Sequence, residues 1–119
     1  MPTYTKVLLS QSVYGTPIFV ADTGTPGTLI HTTALSTSVI DEVWLYACNT
    51  STSPVLLTIC LGGDSSQFFK QITMAPQSGD VLVVAGLTFT GTGGGSTSIR
   101  AFASTANQIN ISGYANRIS

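Results

Sequence analysis

Gln108-Ile109-Asn110-Ile111-Ser112-Gly113-Tyr114-Ala115-Asn116 reads as two interleaved series. Ile109, Ile111, Gly113 and Ala115 are apolar or small, whereas Asn110, Ser112, Tyr114 and Asn116 carry polar groups. Successive side chains of a strand point to opposite faces, so a period of two turns one face to a core and the other to water. Ile99, Ala101 and Ala103 alternate in the same way with Arg100, Phe102 and Ser104. Strands of this kind belong to sheets that pack face to face.

Strand signals recur at residues 6–13, 16–21, 28–33, 41–49, 54–61, 68–74, 80–85, 98–103 and 108–115. Gly, Pro, Asn, Asp and Ser separate them, as in Thr23-Gly24-Thr25-Pro26-Gly27 and Ala75-Pro76-Gln77-Ser78-Gly79. No segment keeps a helical period. The spacing predicts an all-β chain, an antiparallel β-sandwich, jelly-roll-like, of about eight or nine short strands. Its length of 119 residues suits a single domain spanning 1–119. Gly15, Pro17, Gly24, Pro26 and Gly27 break up the first 35 residues. That segment reads by default as an edge strand, with an extended arm lying across a neighbour as the alternative. Gly91-Thr92-Gly93-Gly94-Gly95-Ser96 reads as a flexible loop.

One strand departs from the alternation. Val43-Trp44-Leu45-Tyr46-Ala47-Cys48 is apolar on both faces, and Val55-Leu56-Leu57-Thr58-Ile59-Cys60-Leu61 is nearly so. A strand of this kind is covered on both sides, by its sandwich partner and by something else. A loop, the N-terminal arm and a neighbouring subunit are the three candidates.

Composition sharpens the third candidate. Charged residues make up 8% of the chain, against about 25% in soluble domains. They are Lys6, Lys70, Arg100 and Arg117 with Asp22, Asp41, Glu42, Asp64 and Asp80. The 18 Thr and 14 Ser replace them, and burying a hydroxyl that finds a partner costs far less than burying a charge. A folded monomer of this mass exposes roughly 6,000 Å², and a subunit covered by neighbours fits so uncharged a surface better than a monomer does. A net charge of −1 gives no basic face for nucleic acid. The apolar runs, such as residues 81–85, fall far short of the roughly 20 residues of a spanning helix, so no membrane partner is expected. Met1-Pro2-Thr3-Tyr4-Thr5-Lys6 has no signal-peptide character, which points to synthesis in a cytoplasm. Cys48 and Cys60 are expected as reduced thiols. If residues 49–53 form a tight hairpin, Cys48 faces a residue near Val55 and Cys60 lies beyond bonding reach.

Chemistry is sparse. His31 is the only histidine, with no marked nucleophile or orienting acid, and reads as a hydrogen-bonded strand histidine. One His and two Cys eleven residues apart match no zinc spacing. Asp64 is a lone acidic loop residue, too little for a calcium cage. Asp41 and Glu42 are adjacent on a strand and point to opposite faces, so they form no catalytic pair. The glycine run lacks the Lys-Ser/Thr of a phosphate-binding loop. Asn49-Thr50-Ser51 and Asn110-Ile111-Ser112 match the glycosylation pattern, which a chain that is not secreted does not use. No enzymatic activity, cofactor or metal is expected. Trp44, Tyr46, Phe102 and Tyr114 are the candidate interface anchors, with a sugar-stacking platform as the competing use.

Leu29-Ile30-His31-Thr32-Thr33, the run from Ile40 through Trp44 to Ser51, and Val55-Leu56-Leu57-Thr58-Ile59 resemble a group of small virion proteins of tailed bacteriophages. The tail from Ala101 through Tyr114 to Ile118 continues the likeness, which then covers about two thirds of the chain. The resemblance is one of fold and composition and transfers no functional residues. It implies a β-sandwich subunit of a capsid decoration, neck or tail structure. The expectation is therefore a virion protein, made in the cytoplasm of the bacterial host. Its most specific form is a capsid decoration (cement) protein, a homo-oligomer and specifically a trimer, bound to the major capsid protein or other virion proteins. A neck, tail or fibre component is the first alternative, and a carbohydrate-binding module for host attachment the second.

Overall fold

A computed structural model describes residues 3–63 and 65–119. Its strands, among the described residues, are β1 (Tyr4–Leu8), β2 (Ile18–Phe19), β3 (Thr28–Thr32), β4 (Ile40–Asn49), β5 (Val55–Leu61), β6 (Phe69–Met74), β7 (Val81–Thr90), β8 (Ser98–Ala103) and β9 (Ile109–Ile118). A short 3-10 turn, Ser66–Phe68, precedes β6. Asp64, the lone candidate calcium ligand, lies outside the described residues.

The strands form two antiparallel sheets. One has the order β1-β9-β4-β7, with β2 also paired to β9, and the other has the order β3-β8-β5-β6. The antiparallel pairs β1 or β2 with β9, β3 with β8, β4 with β7 and β5 with β6 form one long hairpin. Rolling it up brings β4 against β9 and β5 against β8. The result is an antiparallel β-sandwich wound as a jelly roll.

β1 and β2 lie along the same side of β9, at Tyr114–Ile118 and Asn110–Ile111 respectively, and together act as one interrupted edge strand. The interruption, residues 9–17, sends Leu9 into the core and ties Ser10 and Gln11 to β3. The first segment of the chain is thus built into the sandwich edge. The strand signal at 6–13 and 16–21 is shortened because Ser10, Gly15 and Pro17 make a turn there. β7 instead runs longer than the signal at 80–85. Its register skips Gly86, between Leu87 opposite Val43 and Ala85 opposite Trp44, so a glycine that reads as a strand end is a bulge.

Inward-facing Val43, Leu45 and Ala47 of β4 meet Ile109, Ile111 and Ala115 of β9, Leu57 and Ile59 of β5, and Ile99, Ala101 and Ala103 of β8. Burying each large aliphatic side chain contributes about 1.5–3 kcal/mol. The expected hairpin at residues 49–53 is overturned. β4 and β5 belong to different sheets, so residues 50–54 form an arch between them. Asn49, fully buried, staples the arch. Its amide donates to the carbonyls of Ser53 at 2.9 Å and Met74 at 3.1 Å, and its oxygen accepts from the Ser51 N–H and hydroxyl. Because Asn49 is enclosed in this way, its glycosylation pattern is sterically closed. Cys48 and Cys60 are set on different sheets.

Candidate functional site: the outer face of the five-stranded sheet

β4 lies between β9 and β7, with Trp44, Tyr46 and Cys48 on the face away from the core. The registers align outward side chains in rows across the sheet. Leu8, Tyr114, Trp44 and Ala85 form one row. Lys6, Asn116, Glu42 and Thr88 form the next, and Ser112, Tyr46 and Leu82 a third.

Trp44 and Tyr114 are directly opposed, with ring centroids 6.5 Å apart and planes inclined by 18°. On the far side of Tyr114, towards β1, Lys6 Nζ lies 4.5 Å from the ring centroid. The Tyr114 ring therefore stands between an ammonium and an indole, with its faces occupied and its edge outward. The Trp44 benzo ring fills the space over Gly86, where a Cβ would lie 2.8 Å from Cζ2. Glu42 locks the arrangement: its Oε1 accepts from Trp44 Nε1 at 2.8 Å and from the Asn116 amide at 3.0 Å. The Trp44 indole N–H, and then the Asn116 amide, hold the Glu42 carboxyl below its usual range.

Phe102 lies elsewhere. It projects from the outer face of the other sheet, opposite Thr58, and meets Phe69 edge to face at 5.5 Å. Phe69 is opposite Cys60, so these two rings shelter Thr58 and Cys60, both buried at 1% exposure. The outer side of β5 is thus covered by the chain itself at Thr58 and Cys60, while Leu56 on the same side stays 40% exposed. Of the four candidate anchors, Trp44, Tyr46 and Tyr114 share a face, and Phe102 is on the opposite one.

A second cluster lies inside the sandwich. Asp41 shares the inward phase of Val43 and Leu45, and Arg117 shares that of Ile111 and Ala115; the two residues are direct partners across β4 and β9. Arg117 Nε and Nη2 bind the two Asp41 oxygens at 2.7 and 2.9 Å. From the other sheet His31 Nε2 donates to Asp41 Oδ2 at 2.8 Å, and its Nδ1 accepts the Ser10 N–H at 2.9 Å. Asp41 is 0% and His31 1% exposed. Burial pushes the Asp41 carboxyl upward, but the Arg117 fork and the His31 bond outweigh it and hold the group below its usual range. The Ser10 hydroxyl accepts from the Thr32 N–H rather than facing the imidazole. Both histidine nitrogens are thus committed to a tie between the sheets. His31 is the hydrogen-bonded strand histidine expected from the sequence, with Asp41 and Ser10 as partners that the sequence alone does not mark. A signal for the cluster exists nonetheless, since Asp41 and Arg117 both fall on core-facing phases, where a charge needs an opposite charge.

Two surface clefts, of about 210 and 230 Å³, lie beside Arg100 and between the edges of β6 and β7. Among the described residues, no three His, Cys, Asp or Glu side chains converge on a metal position. No helix among them is long and apolar enough to cross a membrane. In the loop at residues 91–96, Gly91 is buried and anchored to the segment 34–36, whereas residues 92–94 and 96 are exposed. Gly91 donates its N–H to Ser36 O and Gly93 donates to Leu35 O, and a Cβ on Gly91 would run into the carbonyls of Ala34 and Leu35.

Comparison of the chain with protein-family models, with curated proteins and with solved structures found no match.

Proposed function

We propose that this chain is a non-catalytic structural subunit of a tailed-bacteriophage virion. In its most specific form it is a decoration protein, bound as a homo-oligomer to the major capsid protein of the shell. The observation that carries the reading is the outer face of the five-stranded sheet. There Trp44, Tyr46, Tyr114 and Leu82 form an aromatic and apolar patch, and the adjacent row of Glu42, Asn116 and Lys6 on the same face fixes Trp44 and Tyr114 in place. Pre-ordered aromatic side chains bind without a large entropy cost, and such anchors dominate interface energetics. The jelly roll adds weak support, because viral capsid domains use it, as do lectins and cupins. The mechanism is physical: apolar area buried between subunit and shell, at about 25 cal/mol per Å², strengthens capsomer junctions.

Imaging of the intact particle tests this directly. Copies spread over the shell are the expected result. A ring at the portal vertex or a position along the tail assigns the chain to the neck or tail instead. Absence from purified virions by mass spectrometry overturns the proposal. Glycan binding is the weaker reading, because stacking a sugar requires an open aromatic face and both sides of Tyr114 are occupied. Glycan-array binding that disappears in Trp44→Ala would reverse that ranking.

A further inference from the structure

The edge of the five-stranded sheet formed by residues 4–19 carries a second feature. Tyr4, Leu8 and Phe19 project from its outer face at 71%, 55% and 60% exposure. Val13 and Tyr14, at 63% and 94%, form the tip of the turn between β1 and β2. Gly15 of that turn lies beside the Leu8 side chain, so the tip adjoins the row at Leu8. At roughly 150–200 Å² for each fully exposed side chain, the five present roughly 600 Å². That is the upper limit of what monomers leave in one patch, about 300–600 Å². It is about three quarters of one side of a standard interface, about 800 Å².

The backbone of the same edge is also open. Thr3 and Ser119 exchange both N–H···O bonds. Bonded and non-bonded pairs alternate along an antiparallel ladder, so Thr5 with Arg117 and Val7 with Ala115 are the next bonded pairs. The N–H and C=O groups of Tyr4, Lys6 and Leu8 therefore point away from β9, as a row of donors and acceptors on an edge strand. An antiparallel copy of this strand offers the complementary row. Charge does not oppose the match: residues 3–20 hold one ionised side chain, Lys6, and its ammonium is drawn back over Tyr114.

We infer that the edge formed by residues 4–19 is a self-association surface, whose partner is the same edge of a second copy related by a two-fold axis. This extends the five-stranded sheet across both copies and buries the Tyr4, Leu8, Val13, Tyr14 and Phe19 patch against itself. The inference builds on the reading of the chain as an assembly subunit, but it does not require the assembly to be a virion.

Sedimentation of the full chain from about 1 to about 100 µM tests it, alongside Tyr4→Glu and Phe19→Glu, which face each two-fold contact with carboxylates. The expected result is a dimer whose dissociation constant rises at least tenfold in either variant and is unchanged in Thr73→Glu, an exposed position on β6 at the edge of the other sheet. Far-ultraviolet circular dichroism spectra of the monomeric variants that match the parent, with a cooperative melt, exclude misfolding as the cause. Amide exchange gives a second readout: the Lys6 and Leu8 N–H groups gain protection as concentration rises. A monomer throughout the range overturns the inference, as does a trimer or dimer that both edge variants leave intact. A dimer broken by these variants in a protein absent from virions keeps the pairing and removes the virion reading. A virion protein with a monomeric edge does the reverse.

Discussion

Asp41 is the residue on which the ends of both sheets depend. Its carboxylate is buried and satisfied by the Arg117 fork and the His31 imidazole, a site where the desolvation cost is large and the partners are close. Asp41→Asn leaves the Arg117 charge without its partner. Because Arg117 is 34% exposed and regains some water, the expected loss is about 2–4 kcal/mol, read by urea denaturation. The same residue sets an acid dependence. Its folded carboxyl is held below the unfolded value of about 3.9, so the unfolded chain takes up a proton first as pH falls. The stability it contributes is complete above the unfolded value and is lost as pH drops through the folded one. Melting temperature should therefore decline on the acid side of about pH 4. In Asp41→Asn that decline should be flatter, with a residual slope from Glu42, which is also held low. An acid limb as steep as the parent's would show that Asp41 carries none of it.

At the level of elements, β4 and β7 show how a strand interruption serves a side chain on its neighbour. Gly86 has φ +71° and sits where the Trp44 benzo ring needs room, so the bulge in β7 and the aromatic row on β4 are one feature. Gly86→Ala adds a Cβ against the ring and a side chain at positive φ. It should cost about 1–3 kcal/mol and shift Trp44 fluorescence as the indole is displaced. Unchanged emission would mean that the ring does not rest on the bulge. The sequence showed β4 as a two-sided apolar strand, and the row Trp44, Tyr46 and Cys48 is indeed its outer side. It did not show that Phe102 faces the opposite way, because period-two alternation assigns faces within a strand, not which sheet the strand joins. The same limit explains the hairpin expected at residues 49–53: a short polar connection serves a hairpin or an arch equally well, and the arch is held by tertiary bonds of Asn49 to Ser53 and Met74, of Thr50 to Gln108 and of Ser51 to Gln77.

For the whole molecule, β9 is the organising strand. It pairs with β1, β2 and β4, and supplies Ile109, Ile111 and Ala115 to the core and Arg117 to the buried ion cluster. A chain ending at residue 108 loses the partner of three strands and should show no cooperative thermal transition by circular dichroism. A sharp melt in the shortened chain would mean that β4 and β7 hold the sheet unaided. Joining the first strand to the last also makes folding depend on closing nearly the whole chain, which places it among slow-folding, high-contact-order topologies. By itself, the sequence determined the strand class, most strand positions and the faces of the regular strands, since these follow from local alternation and from residues that tolerate turn geometry. Only the tertiary structure decided the sheet to which each strand belongs, the pairing of Asp41 with Arg117 and His31, and the separation of Phe102 from the other three aromatics. Those depend on contacts between residues ten to seventy-six positions apart, and such contacts are set by how two apolar faces close on one another.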